Sequence, residues 1–124
     1  MPHLTLEYTD NVSDPEDMRE TMLKMHRVLN ETGGIRLANC KSRSRRLDTY
    51  AVGDGSPDNA FLHLDVRFME GRPDEVKRTI GNELLQILRE DFSEAGLDLQ
   101  ITVEIRDIMG NTYFKHPEGT LTPQ

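Results

Sequence analysis

Pro2-His3-Leu4-Thr5-Leu6-Glu7-Tyr8, near the start of the chain, alternates apolar and polar side chains. A period of two marks a strand with one dry and one wet face, and it sets Leu4, Leu6 and Tyr8 on the dry face with Pro2 sharing their parity. The same alternation returns at 61–69, where Leu62, Leu64, Val66 and Phe68 interleave with His63, Asp65 and Arg67. It returns again at 99–106, with Leu99, Ile101, Val103 and Ile105 on one side and Gln100, Thr102, Glu104 and Arg106 on the other. A fourth strand is expected at about 40–52, closed by the turn-rich Gly53-Asp54-Gly55-Ser56-Pro57-Asp58.

Two stretches follow a helical period instead. In 14–31, Met18, Met22, Met25 and Leu29 recur at helical spacing, Ser13 or Asp14 supplies a cap, Pro15 falls in the first turn, and Gly33-Gly34 supplies a left-handed stop. In 73–95, Val76, Ile80, Leu84, Ile87, Leu88 and Phe92 form the buried stripe, and Gly96 ends it. The methionines are flexible core fillers, not a cofactor box. Each half of the chain therefore reads strand, helix, strand. Because crossovers between parallel strands are right-handed, two such units side by side give an α+β fold: two β-α-β pseudo-repeats forming one four-stranded mixed sheet with both helices on a single face. The other face, with His3, Thr5, Glu7, His63, Asp65, Arg67, Gln100, Thr102 and Glu104, suits water or a polar subunit interface.

The 124 residues fit a single domain, 1–124, with a polar tail from about 109 that includes a short extended piece at Tyr113-Phe114-Lys115. A composition of 35% hydrophobic and 30% charged residues, with only short apolar runs and no secretory-signal pattern, leads us to expect a soluble cytoplasmic protein that does not span a membrane. The lone Cys40 is expected to be a half-buried small hydrophobe. A formal charge of −7 argues against general nucleic-acid binding. Against that acidic background Lys41, Arg43, Arg45 and Arg46 form a cationic island, with alternation placing Lys41, Arg43 and Arg45 on one strand face. Such an island is a solvated face or a device for selecting a small di-anion.

Pro2 has its own chemical interest. Were Met1 removed, it would present a secondary amine able to accept a proton, although a proline at this position also merely suits the start of an edge strand. Burial and neighbouring cations both disfavour the ammonium form, as a base working near neutral pH requires. Arg43 and Arg72 are the first choices for holding carboxylates, since a guanidinium binds them in a planar fork. Arg72 also precedes a helix whose free backbone donors suit an anion. His3, His26, His63 and His116 lack paired ligand spacing, so no metal is expected, and proton transfer by an amine requires no cofactor.

Pro2 through Asn11, followed in order by Leu37-Ala38, Lys41-Ser42-Arg43, Leu47-Asp48-Thr49-Tyr50, Asp54-Gly55, Ala60-Phe61, His63, Gly71-Arg72 and Phe114-Lys115, resembles the 5-carboxymethyl-2-hydroxymuconate isomerases of the tautomerase superfamily. The resemblance spans nearly the whole chain. It implies a cofactor-independent isomerase of aromatic compound catabolism that moves a proton in an unsaturated keto/enol di- or tricarboxylic acid. Pro2 would be its acid/base catalyst, and Lys41, Arg43 and Arg72 would hold the small anionic substrate. It also implies a homotrimer with inward-facing sheets. Lys41 stands where the family has an arginine, which keeps the charge and loses the fork. Arg45 and Arg46 have no family counterpart and read as salt-bridge partners; His63 reads as a hydrogen-bonding interface residue. A noncatalytic trimeric binding protein of the same fold, or a decarboxylase or hydratase on the same scaffold, are the alternatives.

Overall fold

The computed structural model describes residues 2–92 and 95–117. Strand β1 (His3–Thr9) leads into helix α1 (Met18–Gly33), a short 3-10 turn at Leu37–Asn39 and strand β2 (Lys41–Leu47). Strand β3 (Asn59–Met69), helix α2 (Asp74–Asp91) and strand β4 (Asp98–Ile108) repeat the arrangement, and a final 3-10 turn spans Gly110–Thr112. The sheet order is β2-β1-β3-β4. Each β-α-β unit pairs its own strands in parallel, and the units meet through the antiparallel β1–β3 ladder, in which Leu6 faces Leu64. This is the four-stranded mixed sheet expected from the alternation.

Leu4, Leu6, Tyr8, Leu62, Leu64, Val66 and Phe68 are buried in one core with Met25 and Leu29 of α1 and Ile80, Leu84 and Leu88 of α2. Among the described residues the opposite sheet face carries no helix, so its polar residues are half-buried or exposed. Met18 and Met22 pack against the core as partly buried fillers. Among the described residues, no helix is long and apolar enough to cross a membrane.

The boundaries depart from expectation for identifiable reasons. Strand β2 ends at Leu47, not near 52, because its partner, β1, ends at Thr9 and turns away through the Val12 N–H to Thr9 carbonyl bond. The bond from the Asp10 N–H to the Leu47 carbonyl is the last step of that pairing, and beyond it residues 48–52 have no strand to join among the described residues. Helix α1 begins at Met18, not 14: Asp14 is already held by the Tyr8 hydroxyl and by Arg46, so Asp17 is the cap, its carboxylate accepting from the Glu20 N–H at 3.2 Å. Pro15 therefore precedes the helix. At the other end, Gly34 takes the left-handed conformation expected there, with φ of 68°.

Helix α2 stops at Asp91, not 95, because Phe92 adopts an extended backbone and drives its ring into the core edge-on to Tyr8, with centroids 5.5 Å apart. Gly96, with φ of 77°, belongs to the turn before β4 and does not end the helix. Positions 93 and 94 of the expected helix, Met1 and the tail from 118 lie outside the described residues.

Leu64, fully buried at the centre of the sheet, carries a prediction. Leu64→Ala should lower unfolding free energy by about 2–5 kcal/mol, read from urea denaturation, since the close-packed surroundings cannot collapse into the space left.

Candidate functional site

Pro2 is buried where β1 begins. Its carbonyl accepts from the Lys41 N–H at 3.2 Å, which continues the β1–β2 ladder by one step. Extending the registers of β1 by one residue sets Pro2 between Cys40 on one side and Phe68 on the other. Cys40 is half-buried against the core, and burial pushes its thiol above the ordinary range. Phe68 is fully buried, and the Arg72 guanidinium lies over its ring, 5.2 Å from the centroid.

Arg72 follows Gly71, whose φ of 117° belongs to a region that side-chain-bearing residues rarely enter. From that turn its Nε donates to the Gly33 carbonyl at 2.8 Å and its Nη1 to the Met69 carbonyl at 3.5 Å, tying the end of α1 to the end of β3. Burial draws the guanidinium below its ordinary pKa. The adjoining first turn of α2 carries Asp74 and Glu75, which complement the positive end of the helix. The structure thus brings Arg72 and Pro2 to a shared neighbour, Phe68, on the helix side of the sheet.

Lys41 and Arg43 stand elsewhere. They pair with His3 and Thr5, so they share one strand face, as the alternation anticipated, and the register makes it the helix-free face. Lys41 Nζ donates to the Asn39 carbonyl at 3.0 Å, and Arg43 Nη1 donates to His3 Nδ1 at 3.0 Å. The registers align Lys41, His3, Arg67 and Arg106 in one row across all four strands. Asp65 offsets part of this charge: Arg106 grips it in a fork at 2.8 and 2.9 Å, holding its carboxyl below the usual range, and Arg67 Nε stands 3.6 Å away.

Sequence reasoning placed His3 and Arg67 on this face but did not join them to the cationic island. Their alternation parity was the available signal; the strand order that makes them neighbours was not. Of the remaining cations, Arg45 pairs with Glu7 at 3.7 Å and Arg46 with Asp14 at 3.0 Å, the salt-bridge roles expected. His63 Nδ1 and the Thr102 hydroxyl lie 2.7 Å apart on the same helix-free face.

Two β-α-β halves, one mixed sheet, both helices on one face and a buried proline opening the central strand define a tautomerase-like protein. The family model described as CHMI, 5-carboxymethyl-2-hydroxymuconate isomerase, matches residues 2–118. A 5-carboxymethyl-2-hydroxymuconate Delta-isomerase of Escherichia coli is 30% identical over 118 residues, 93% of each chain. A crystal structure of a 5-carboxymethyl-2-hydroxymuconate isomerase from Deinococcus radiodurans R1 shares 31% identity and a TM-score of 0.81, covering 97% of this chain and 90% of that one. A fused 4-OT solved as a symmetric trimer matches at a TM-score of 0.74 with 16% identity, covering 98% of this chain and 97% of that one, a likeness of fold. The chain belongs to the 5-carboxymethyl-2-hydroxymuconate isomerase family of the tautomerase superfamily, and is an isomerase of that family.

The different settings of the two arginines separate their contributions to stability. Arg72→Ala should cost about 1.5–3 kcal/mol in urea denaturation, because charged hydrogen bonds to two carbonyls are lost. Arg43→Ala, at an exposed strand position, should stay within about 0.5 kcal/mol.

Proposed function

We propose that the chain isomerises 5-carboxymethyl-2-hydroxymuconate by moving a proton between carbons of the conjugated acid, with the Pro2 amine as base once Met1 is removed. The observation that carries this reading is the buried position of Pro2 at the head of the central strand, beside Phe68 and near the Arg72 guanidinium stacked on it. A neutral amine is favoured where water is excluded, and a neutral amine is the form that can abstract a proton. Arg72, Arg43 and Lys41 hold the substrate's carboxylates through their positive charge. The reaction needs only proton transfer within one molecule, so these side chains supply its acid/base and electrostatic requirements.

The placement of the cations supports a site shared between copies. Arg43 and Lys41 project from the helix-free face, while Pro2 and Arg72 belong to the helix side. A neighbouring protomer can supply the first pair to the second across a subunit boundary. Strand β4 is also an edge strand of 11 residues, and its half-buried Leu99, Ile101, Val103 and Ile105 are only partly covered by α2. A groove of about 540 Å³ remains there, lined by Lys77, Arg78, Leu85, Ile101 and Val103 among others. A long, unpaired and partly apolar edge is a liability that assembly removes. We assign a homotrimer with its sheets turned inward.

Absorbance assays with 5-carboxymethyl-2-hydroxymuconate, alongside intact-mass measurement to establish loss of Met1, test the chemistry. A variant with one uncleaved residue before Pro2 should be nearly inactive, Pro2→Ala should retain part of the activity, and the pH profile should rise with one deprotonation near neutrality. Normal turnover by the blocked variant would sink the amine as the base. Light scattering tests the assembly: a trimer is expected, and a stable, fully active monomer contradicts a shared site.

A further inference from the structure

His3 has a partner at each ring nitrogen. Arg43 Nη1 lies 3.0 Å from Nδ1, and the Tyr113 hydroxyl lies 2.7 Å from Nε2. A guanidinium has donors only, so Nδ1 must accept and carries no proton. The ring proton therefore sits on Nε2 and is donated to the Tyr113 oxygen. This selects one neutral tautomer. Tyr113 reaches this position from the segment after β4, and its ring meets the imidazole nearly edge-on, with centroids 6.1 Å apart at 69°.

The surroundings favour that neutral state. Lys41 and Arg43 face His3 from β2, Arg67 faces it from β3, and Tyr113 covers the far nitrogen. Burial first, then Arg43, Arg67 and Lys41, hold the imidazole below the ordinary histidine range. Asp65, the acid on the neighbouring strand one row away, is engaged by Arg106. Protonation of His3 would turn Nδ1 into a donor aimed at another donor, and the Arg43 contact would break.

Among the described residues Arg43 makes no ion pair with a carboxylate within 4.0 Å. A carboxylate partner would orient the guanidinium but cancel much of the charge needed to attract an anion. A neutral imidazole orients it through one N–H and leaves the charge and the remaining donors available.

We propose that His3 is a positioning residue, holding the Arg43 guanidinium by a neutral acceptor so that it meets a substrate carboxylate with its charge intact. The inference rests on the anchoring role assigned to Arg43 under the proposed function. It adds a pH dependence: binding is held while His3 is neutral and is lost as pH falls through the lowered His3 pKa.

Steady-state kinetics with 5-carboxymethyl-2-hydroxymuconate on Arg43→Ala, His3→Ala, His3→Gln, His3→Asn and the Arg43→Ala/His3→Ala double variant, with nitrogen-15 NMR of the imidazole, test it. His3→Ala and His3→Gln should raise KM about tenfold, the loss expected for one charged hydrogen bond, with kcat little altered. His3→Asn, whose Oδ1 replaces Nδ1 as acceptor, should recover most of the loss. In the double variant, removing His3 should add nothing to the effect of removing Arg43. NMR should show the neutral Nε2–H form, with its titration coinciding with the acid limb of 1/KM and moving upward in Arg43→Ala. If Arg43→Ala raises KM while His3→Ala does not, the positioning role is overturned and the anchor stands. If Arg43→Ala leaves KM unchanged, the anchor falls and the positioning role falls with it. An Nδ1–H tautomer at neutral pH refutes the geometry directly.

Discussion

The antiparallel register between β1 and β3 is the constraint from which the rest of the molecule follows. With Leu4 against Val66 and Leu6 against Leu64, Leu4, Leu6 and Tyr8 of β1 and Leu62, Leu64, Val66 and Phe68 of β3 all turn toward the helices. A slip of one residue would carry the entire apolar set to the opposite face, so burial specifies this pairing strongly. The same pairing puts Pro2 beside Phe68 and His3 beside Arg67, joining the start of the chain to the end of β3. Core and candidate site are consequences of one alignment.

That alignment concentrates positive charge in a protein whose formal charge is −7. Lys41, Arg67 and Arg106 come from three strands, and flank or continue the row that passes through His3. Their grouping is costly unless something negative is near, and Asp65 supplies part of what is needed through its fork with Arg106. A small anionic ligand would meet the remaining positive field. The Arg72 guanidinium is different in kind. It is bound into the structure by carbonyls and an aromatic ring, so it is pre-placed at an entropic cost already met in folding.

Strand and helix types were legible because their signals are local. Leu62 to Phe68 alternates without interruption, and Ile80, Leu84 and Leu88 recur at four-residue spacing whatever surrounds them. The boundaries that moved did so where a distant partner intervened. Asp14 has the chemistry of a helix cap, but Tyr8 and Arg46 hold it. Thr49 and Tyr50 would suit a strand, but β1 has already ended at Thr9. Phe92 continues the helical stripe in sequence, yet the Tyr8 ring draws it out of the helix and into the core.

By itself the sequence determined the two β-α-β halves, the apolar face of each strand and the presence of Pro2, Lys41, Arg43 and Arg72, because periodicity and residue chemistry belong to the chain alone. Only the tertiary structure decided which of those residues meet. Strand order set His3 between Lys41 and Arg67, and the return of the chain after β4 brought Tyr113 onto the same imidazole from 110 positions away. Tertiary structure also separated Pro2 and Arg72 from Arg43 by the thickness of the sheet, since strand parity assigns them opposite faces. Linear spacing carries no information about such distances, because they arise when apolar burial selects one register among the many that the backbone could form.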